Sequence, residues 1–404
     1  MGLAYADARG RVYYDGAVEP LADGGVLRAP ERRDLIPAPP GTVQTMLPGR
    51  RPLLRDGRVA ARRTAVAALL PAGYTRLLLP AYRTEPAAPP LPLFGYTFAC
   101  SIGETLYVAA ARTDRGSDWQ PRFDGHANLA AAIARRRGRD PRNRVLRQLE
   151  RCSLEYGCFT AQNVFLEIGE AALPVSPRCN ARCVGCISEL DEIVGIPSPQ
   201  ARIGYEATVE ELARVAVTHL ERVPGSVVSF GQGCEGEPLL RPTVVARTIE
   251  RIRAATGTGT VNCNTNGSRP KVLASLIDAG LDAVRISLNA FREATYAAYY
   301  RPVGYGLSDV FESIRLATRA GLRVSLNLLT HPGVSDDRAE VDAMEHFLRE
   351  TQPEMVQTRT LNIDPEIYFG IVGRPAEPLG MRHLLERIAK FGVRVGNFTH
   401  AVAT

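Results

Sequence analysis

From Asn163 onward the chain alternates short apolar runs with stretches whose apolar residues recur every three or four positions. The runs predict strands at Val164–Ile168, Ser226–Gly231, Thr260–Thr265, Ala283–Asn289, Arg323–Leu329 and Met355–Leu361. Several are largely apolar, the pattern of a parallel sheet buried on both faces. The helical period predicts helices between them. Val209–Val223 carries Leu212, Val215 and Leu220 as its apolar stripe, and Thr208 with Glu211 forms a capping box at its start. Another helix, beginning near Ser335, has Asp336 and Asp337 in its first turn, where the helix dipole favours negative charge. Val341, Met344, Phe347 and Leu348 form its inward face. Six strand–helix units fall short of the eight that close a full barrel. The expected fold class is therefore α/β, a partial (β/α)6 barrel over residues 161–404 with a C-terminal helix. An open side admits a bulky substrate.

Residues 1–160 read differently. Pro30, Pro37, Pro39, Pro40, Pro48, Pro52, Pro86, Pro89, Pro90 and Pro92 are among those that punctuate them. That argues against long helices and for short strands joined by turns. Strands are expected at Val12–Tyr14, Tyr74–Leu79 and Thr105–Ala110, followed by helices at Ala127–Arg136 and Asn143–Glu155. The region reads as a smaller, β-rich α+β accessory domain whose helices lead into the barrel. Trp119, Tyr13 and Tyr14 are candidates for a ligand surface, although aromatics in such segments more often fill a core.

Composition narrows the class. The 404 residues suit two domains, and no run approaches the ~18 apolar residues of a membrane span. Met1–Asp7 shows no secretion pattern, and Ala6 stands where myristoylation wants Ser or Thr. The expected compartment is the reducing cytoplasm, where eight cysteines read as metal ligands or free thiols. The net charge of +6 rests on arginine, since Lys271 and Lys390 are the only lysines. The one dense basic block, Arg135-Arg136-Arg137-Gly138-Arg139 with Arg142, Arg144, Arg147 and Arg151, is broken by Asp140-Pro141 and has no interleaved aromatic. It reads as a solvated helix face, and nucleic acid is not the expected partner.

The chemistry centres on Cys179-Asn180-Ala181-Arg182-Cys183-Val184-Gly185-Cys186, just after the first predicted strand. A structural zinc site wants four ligands, usually in two separated pairs, and a disulfide knot wants export. Three thiolates on a four-iron cluster leave one iron with open coordination, able to chelate a substrate or cofactor.

The C-x3-C-x2-C triplet resembles the signature of the radical S-adenosylmethionine (radical SAM) superfamily, over roughly the C-terminal 60% of the chain. The resemblance implies a 4Fe-4S cluster on Cys179, Cys183 and Cys186, with S-adenosylmethionine on the open iron. It implies reductive cleavage of that cofactor to a 5′-deoxyadenosyl radical, oxygen sensitivity, and a reducing partner such as a flavodoxin or ferredoxin. The stretch Phe230 to Leu240 looks like the family's Gly-Gly-Glu-Pro segment through Gly236, Glu237 and Pro238, with Glu235 where a glycine is usual. The same stretch matches G-x-G-x-x-G, but no helix opens at once and no acidic residue follows at the dinucleotide distance.

In a barrel, active residues lie at the C-terminal strand ends. Ser287 and Asn289 are the cofactor-binding candidates there, with Asn266 and Asn327, while Asn266-Gly267 is equally a good turn. His331 follows the fifth strand. Gly185 occupies a position that the family commonly fills with a bulky residue beside the adenine, so adenine packing falls to Val184, Ile187 or Tyr300. Cys234 and Cys263 lie near pocket-facing strand ends and are candidate catalytic thiols. Cys100, Cys152 and Cys158 read as buried thiols, with an auxiliary metal site lacking a fourth ligand. The expected substrate is a small molecule, peptide or protein. RNA modification and a non-catalytic iron-sulfur redox protein are the alternatives.

Overall fold

The computed structural model describes residues 1–114 and 128–398. Its organising element is a seven-stranded parallel sheet whose strands lie in sequence order: Glu170–Leu173, Val227–Phe230, Thr260–Thr265, Ala283–Leu288, Arg323–Thr330, Met355–Thr360 and Arg394–Gly396. Helices including Val209–Arg222, Pro242–Ala255, Pro270–Asp278, Leu307–Arg319, Arg338–Thr351 and Met381–Lys390 connect them. This is the expected partial barrel, extended by a seventh strand too short for its pattern to register.

Two boundaries move, for physical reasons. Val164–Ile168 is not the first strand. Phe159–Leu166 is a helix that buries Ala161, Val164 and Phe165, a helical spacing. Glu167 and Gly169 end it in left-handed conformations, and the strand starts at Glu170. The helix expected near Ser335 begins at Arg338 with Asp337 as its N-cap. Asp336 turns inward instead, accepts from the Gly333 amide at 2.6 Å, and is pushed up to about 7 by burial. The capping box of Val209–Arg222 forms as expected, and Glu211 also takes Arg144 through two 2.8 Å contacts.

The N-terminal region is antiparallel, its largest sheet centred on Thr64–Leu69, Gly2–Ala6, Ala99–Ile102 and Thr105–Arg112. The alanine-rich Thr64–Leu69 gave little strand signal because alanine has low β-propensity. Tyr13 and Tyr14 are exposed on Val12–Asp15, and Trp119 lies outside the described residues. This region docks on the sixth strand and the segment after it. Arg50 pairs with Asp364 at 2.9 Å, both buried. Thr75 meets Thr358 at 2.6 Å, and Arg76 donates to the Leu361 carbonyl at 2.9 Å. One apolar core runs from Ala22 to Val393.

The barrel lumen is polar, unlike the apolar layers of a packed barrel. Ser229 donates to Glu170 at 2.5 Å, Asn262 to Ser229 at 3.0 Å, and Asn327 to Ser287 at 3.2 Å. No helix among the described residues is long and apolar enough to cross a membrane.

Candidate metal centre

Cys179, Cys183 and Cys186 sit on the loop after the first strand and face one cavity of about 220 Å³. Gly231, Gly236, Glu237, Pro238, Asn266, Ser287, Tyr299, Tyr300 and Leu329 also line it, so the loops after successive strands converge where the barrel rule places a site. Burial pushes the Cys179 thiol up to about 11 and raises the Cys183 thiol well above its ordinary value, so bare thiolates are disfavoured. Cluster iron would reverse that preference, since metal coordination deprotonates a thiol. Among the described residues no three His, Cys, Asp or Glu side chains are placed to hold a single ion. Thiolates that each bind a different iron of a cluster do not need to converge that way.

The cluster loop is fastened at both ends. Arg182 and Val184 amides donate to the Tyr300 and Tyr299 carbonyls, each at 3.0 Å. The Asn266 side chain donates to Asn180 at 2.9 Å, while its own oxygen accepts from the Ser268 amide. Asn266 is thus both a turn residue and a latch on the loop. Arg202, which sequence reasoning missed, donates to the Cys186 sulfur at 3.4 Å and to Ser188 at 3.3 Å. Nothing local marks it, because the contact spans 16 residues.

The segment after the second strand fits its backbone tightly. A Cβ on Gly231, whose φ is +79°, would lie 1.8 Å from the Asn264 carbonyl oxygen, and one on Gly236 would lie 2.0 Å from that of Arg178. Glu235 accepts four amides: Gly231 and Gln232 at 2.8 Å, Val175 at 2.6 Å and Ser176 at 2.7 Å. It contributes a carboxylate of its own that ties the cluster loop's base to the neighbouring loop. Burial raises its pKa to about 7 against the pull of those amides. Glu237 accepts from Thr265 at 2.5 Å and from the Asn266 and Leu239 amides at 2.8 and 2.9 Å. Its side chain joins the second and third strand ends and is spent within the protein.

The structure separates other candidates. Ser287 faces the cavity, with Asn327 behind it as a donor to its hydroxyl. Asn289 lies past the strand end, fully buried, and donates to Tyr368 at 3.1 Å. His331 is buried against Tyr368 and Phe369. Cys263 is buried in the third strand and does not line the cavity. Cys234 lines a different cavity of about 190 Å³ with Cys152 and Cys158, while Cys100 belongs to the N-terminal sheet. Val184 is buried and Ile187 borders that second cavity, so Tyr300 is the one of the three adenine-packing candidates that reaches the site. Tyr299 explains Gly185: a Cβ there would meet its hydroxyl at 3.0 Å, so an aromatic from a distant helix fills the space a local side chain would take. Among the described residues the buried Tyr300 hydroxyl has no hydrogen-bond partner, and Tyr300 borders the cavity, a further sign that the site is shaped for a ligand.

Residues 173–344 match the model of the radical SAM superfamily. The GTP 3',8-cyclase of Thermodesulfovibrio yellowstonii is 33% identical over 177 residues, 43% of this chain and 50% of that protein. The GTP 3',8-cyclase of Heliobacterium modesticaldum is 30% identical over 227 residues, 55% of this chain and 63% of that protein. The chain thus spans between 50 and 63% of the length of these relatives. Among solved structures, a radical SAM methyltransferase from Sphaerobacter thermophilus is 16% identical over 57% of this chain and 65% of that one, with a TM-score of 0.40.

Proposed function

The chain belongs to the radical SAM superfamily, and from that premise we propose that it is an enzyme holding a site-differentiated 4Fe-4S cluster on Cys179, Cys183 and Cys186. Membership implies that cluster, S-adenosylmethionine and a source of electrons. When bound and reduced, the pair supplies a 5′-deoxyadenosyl radical that abstracts hydrogen from a small-molecule, peptide or protein substrate. The carrying observation is that three cysteines, the Gly236-Glu237-Pro238 segment and Ser287 share one cavity.

This chain's residues have separable roles. The cysteines would hold three of the cluster's irons, and Arg202 donates a hydrogen bond to the Cys186 sulfur. Gly231 and Gly236 let two loops close on the cavity, and Glu235 with Glu237 fixes them there. Tyr299 and Tyr300 present aromatic surface for the adenine. Ser287, oriented by Asn327, offers a hydroxyl to a ribose or carboxylate. Cys234 and Cys263 are buried and lie outside this cavity, so no role in cofactor cleavage falls to them. Residues 1–160 form the accessory region. A flavodoxin or ferredoxin in a reducing cytoplasm is the fitting electron donor. The names of the relatives make GTP the first substrate to assay.

Anaerobic reconstitution tests the reading. About four irons and four sulfides per chain are expected, with 5′-deoxyadenosine formed on reduction. A Cys179, Cys183, Cys186 triple alanine variant that kept its iron would refute the ligand set. Wild-type protein that loaded iron but never yielded deoxyadenosine would make it an iron-sulfur redox protein instead.

A further inference from the structure

The barrel lumen carries a charge imbalance that the cluster and cofactor sites do not explain. The lumen wall presents Arg285 and Arg359, and the carboxylates whose charge reaches Arg359 among the described residues are Glu170, at the start of the first strand, and Asp114. Glu170 is already engaged, accepting from Ser229 at 2.5 Å and from Arg285 at 3.4 Å through both oxygens. Among the described residues, Arg359 has neither a carboxylate within ion-pair distance nor a side-chain hydrogen bond. It is half-buried. The surroundings lower its pKa to about 10, first through burial and then through the Arg285 charge, so it remains a cation at neutral pH.

Its position is set by register. Arg359 is the direct partner of Leu329 on the neighbouring strand, and laterally paired residues share a face of a sheet. Leu329 lines the cluster cavity. Arg359 therefore stands on the lumen wall beside that cavity, about one strand spacing, ~4.8 Å, from it. A half-buried guanidinium that makes no direct ion pair among the described residues has donors free for a ligand, and a site that keeps such a group ordinarily uses it.

We propose that Arg359, supported by Arg285, is the anchor for an anionic group of the substrate, a phosphate or a carboxylate, seated in the lumen beside the cofactor cavity. This rests on the radical SAM reading above and adds the substrate's charge to it. The planar guanidinium suits either anion through two parallel hydrogen bonds. Seating the anion there leaves the rest of the substrate pointing toward Leu329 and Tyr299, where a hydrogen would be exposed to the radical.

The test is calorimetric titration of the anaerobically reconstituted protein with inorganic pyrophosphate and, separately, with succinate, at fixed ionic strength. Saturable binding of one equivalent is expected for at least one anion. Preference for pyrophosphate identifies a phosphorylated substrate and preference for succinate a carboxylate. Arg359→Gln should weaken binding by about tenfold or more, the effect of losing a charge-assisted hydrogen bond. Arg359→Lys should recover part of it, and Arg139→Gln, on the exposed helix end, should change nothing. Removing a half-buried charge that makes no direct ion pair should leave the melting temperature unchanged or raised. If Arg359→Gln nevertheless failed to fold, Arg359→Lys carries the comparison: it keeps the charge but loses the fork, so affinity equal to wild type would overturn the proposal. Equal affinity in Arg359→Gln, or no saturable binding of either anion to wild type, would overturn it too. The titration needs neither reductant nor S-adenosylmethionine. A protein that makes deoxyadenosine but shows no Arg359-dependent binding fails this inference alone, and one that binds the anion but never makes deoxyadenosine fails the earlier reading.

Discussion

Replacing Gly231 by alanine isolates how the cofactor cavity is closed. Two penalties coincide there. The backbone sits at φ +79°, and the new methyl carbon would fall 1.8 Å from the Asn264 carbonyl oxygen and 2.6 Å from its carbon. The left-handed conformation costs an alanine about 1–2 kcal/mol, offset by about 0.4–1 kcal/mol of lost freedom in the unfolded chain. The overlap is with backbone at a strand end, so relief requires the loop after the second strand to move away from the third. Overpacking of that kind costs about 1–3 kcal/mol or more. The expected loss is therefore about 2–4 kcal/mol. Two other glycines separate the terms. Gly103 has φ +62° with nothing within 4 Å, and Gly204 has neither a left-handed φ nor a neighbour within 4 Å. Urea unfolding of the three variants, read by circular dichroism under reducing conditions, should rank Gly204→Ala near zero, Gly103→Ala at about 1 kcal/mol, and Gly231→Ala well beyond both. The same movement would separate Gly231 from the Asn264 side chain that donates to its carbonyl at 2.9 Å, so iron loading should fall in that variant alone. A Gly231→Ala protein no less stable than Gly103→Ala, with full iron loading, would refute the claim that this close approach builds the site.

Arg202→Leu should lower the cluster's reduction potential by about 40 mV, one hydrogen bond to a ligand sulfur expressed for a one-electron couple; an anaerobic redox titration followed by electron paramagnetic resonance reads it, and an unchanged potential denies the Arg202–Cys186 contact in the loaded protein. Ser287→Ala should weaken S-adenosylmethionine binding by an amount matching about 1–3 kcal/mol, whereas Asn289→Ala should lower the melting temperature instead, because Asn289 bonds Tyr368 in the interior; equilibrium dialysis and thermal melts distinguish the two. Glu211 is held at about 2, chiefly by its hydrogen bonds from Arg144. A depressed carboxylate stabilises the fold above its unfolded value of about 4.3 and loses that contribution as pH falls toward 2. Arg144→Met should therefore cost about 1–2 kcal/mol at pH 6, after discounting for the exposed Arg144 side chain, and little near pH 2.5; urea midpoints that shift equally at both pH values would contradict the pairing.

The sequence by itself determined what depends on local pattern. Apolar runs alternating with 3.6-residue stripes announced a parallel sheet with crossover helices, and Thr208 with Glu211 marked a helix start that the structure reproduces. Three cysteines at fixed spacing announced the metal chemistry, because ligands carried on one loop leave their signature in adjacent positions. Tertiary structure decided whatever depends on distant partners. Val164 and Phe165 belong to a helix because Ala161 shares their buried face, a choice that a short apolar run leaves open. Ser287 and Asn289 have the same strand parity, yet the strand ends at Leu288 and the second turns into the interior to meet Tyr368, 79 residues on. Gly185 looked like a departure until Tyr299 was seen to occupy its space, and Glu235 until four amides from two loops were seen to converge on it. Arg359 carries no local mark at all. Its meaning comes from the register that sets it beside Leu329 and from the lack of a direct ion pair to it among the described residues, and a pairing across strands is fixed only when the sheet closes.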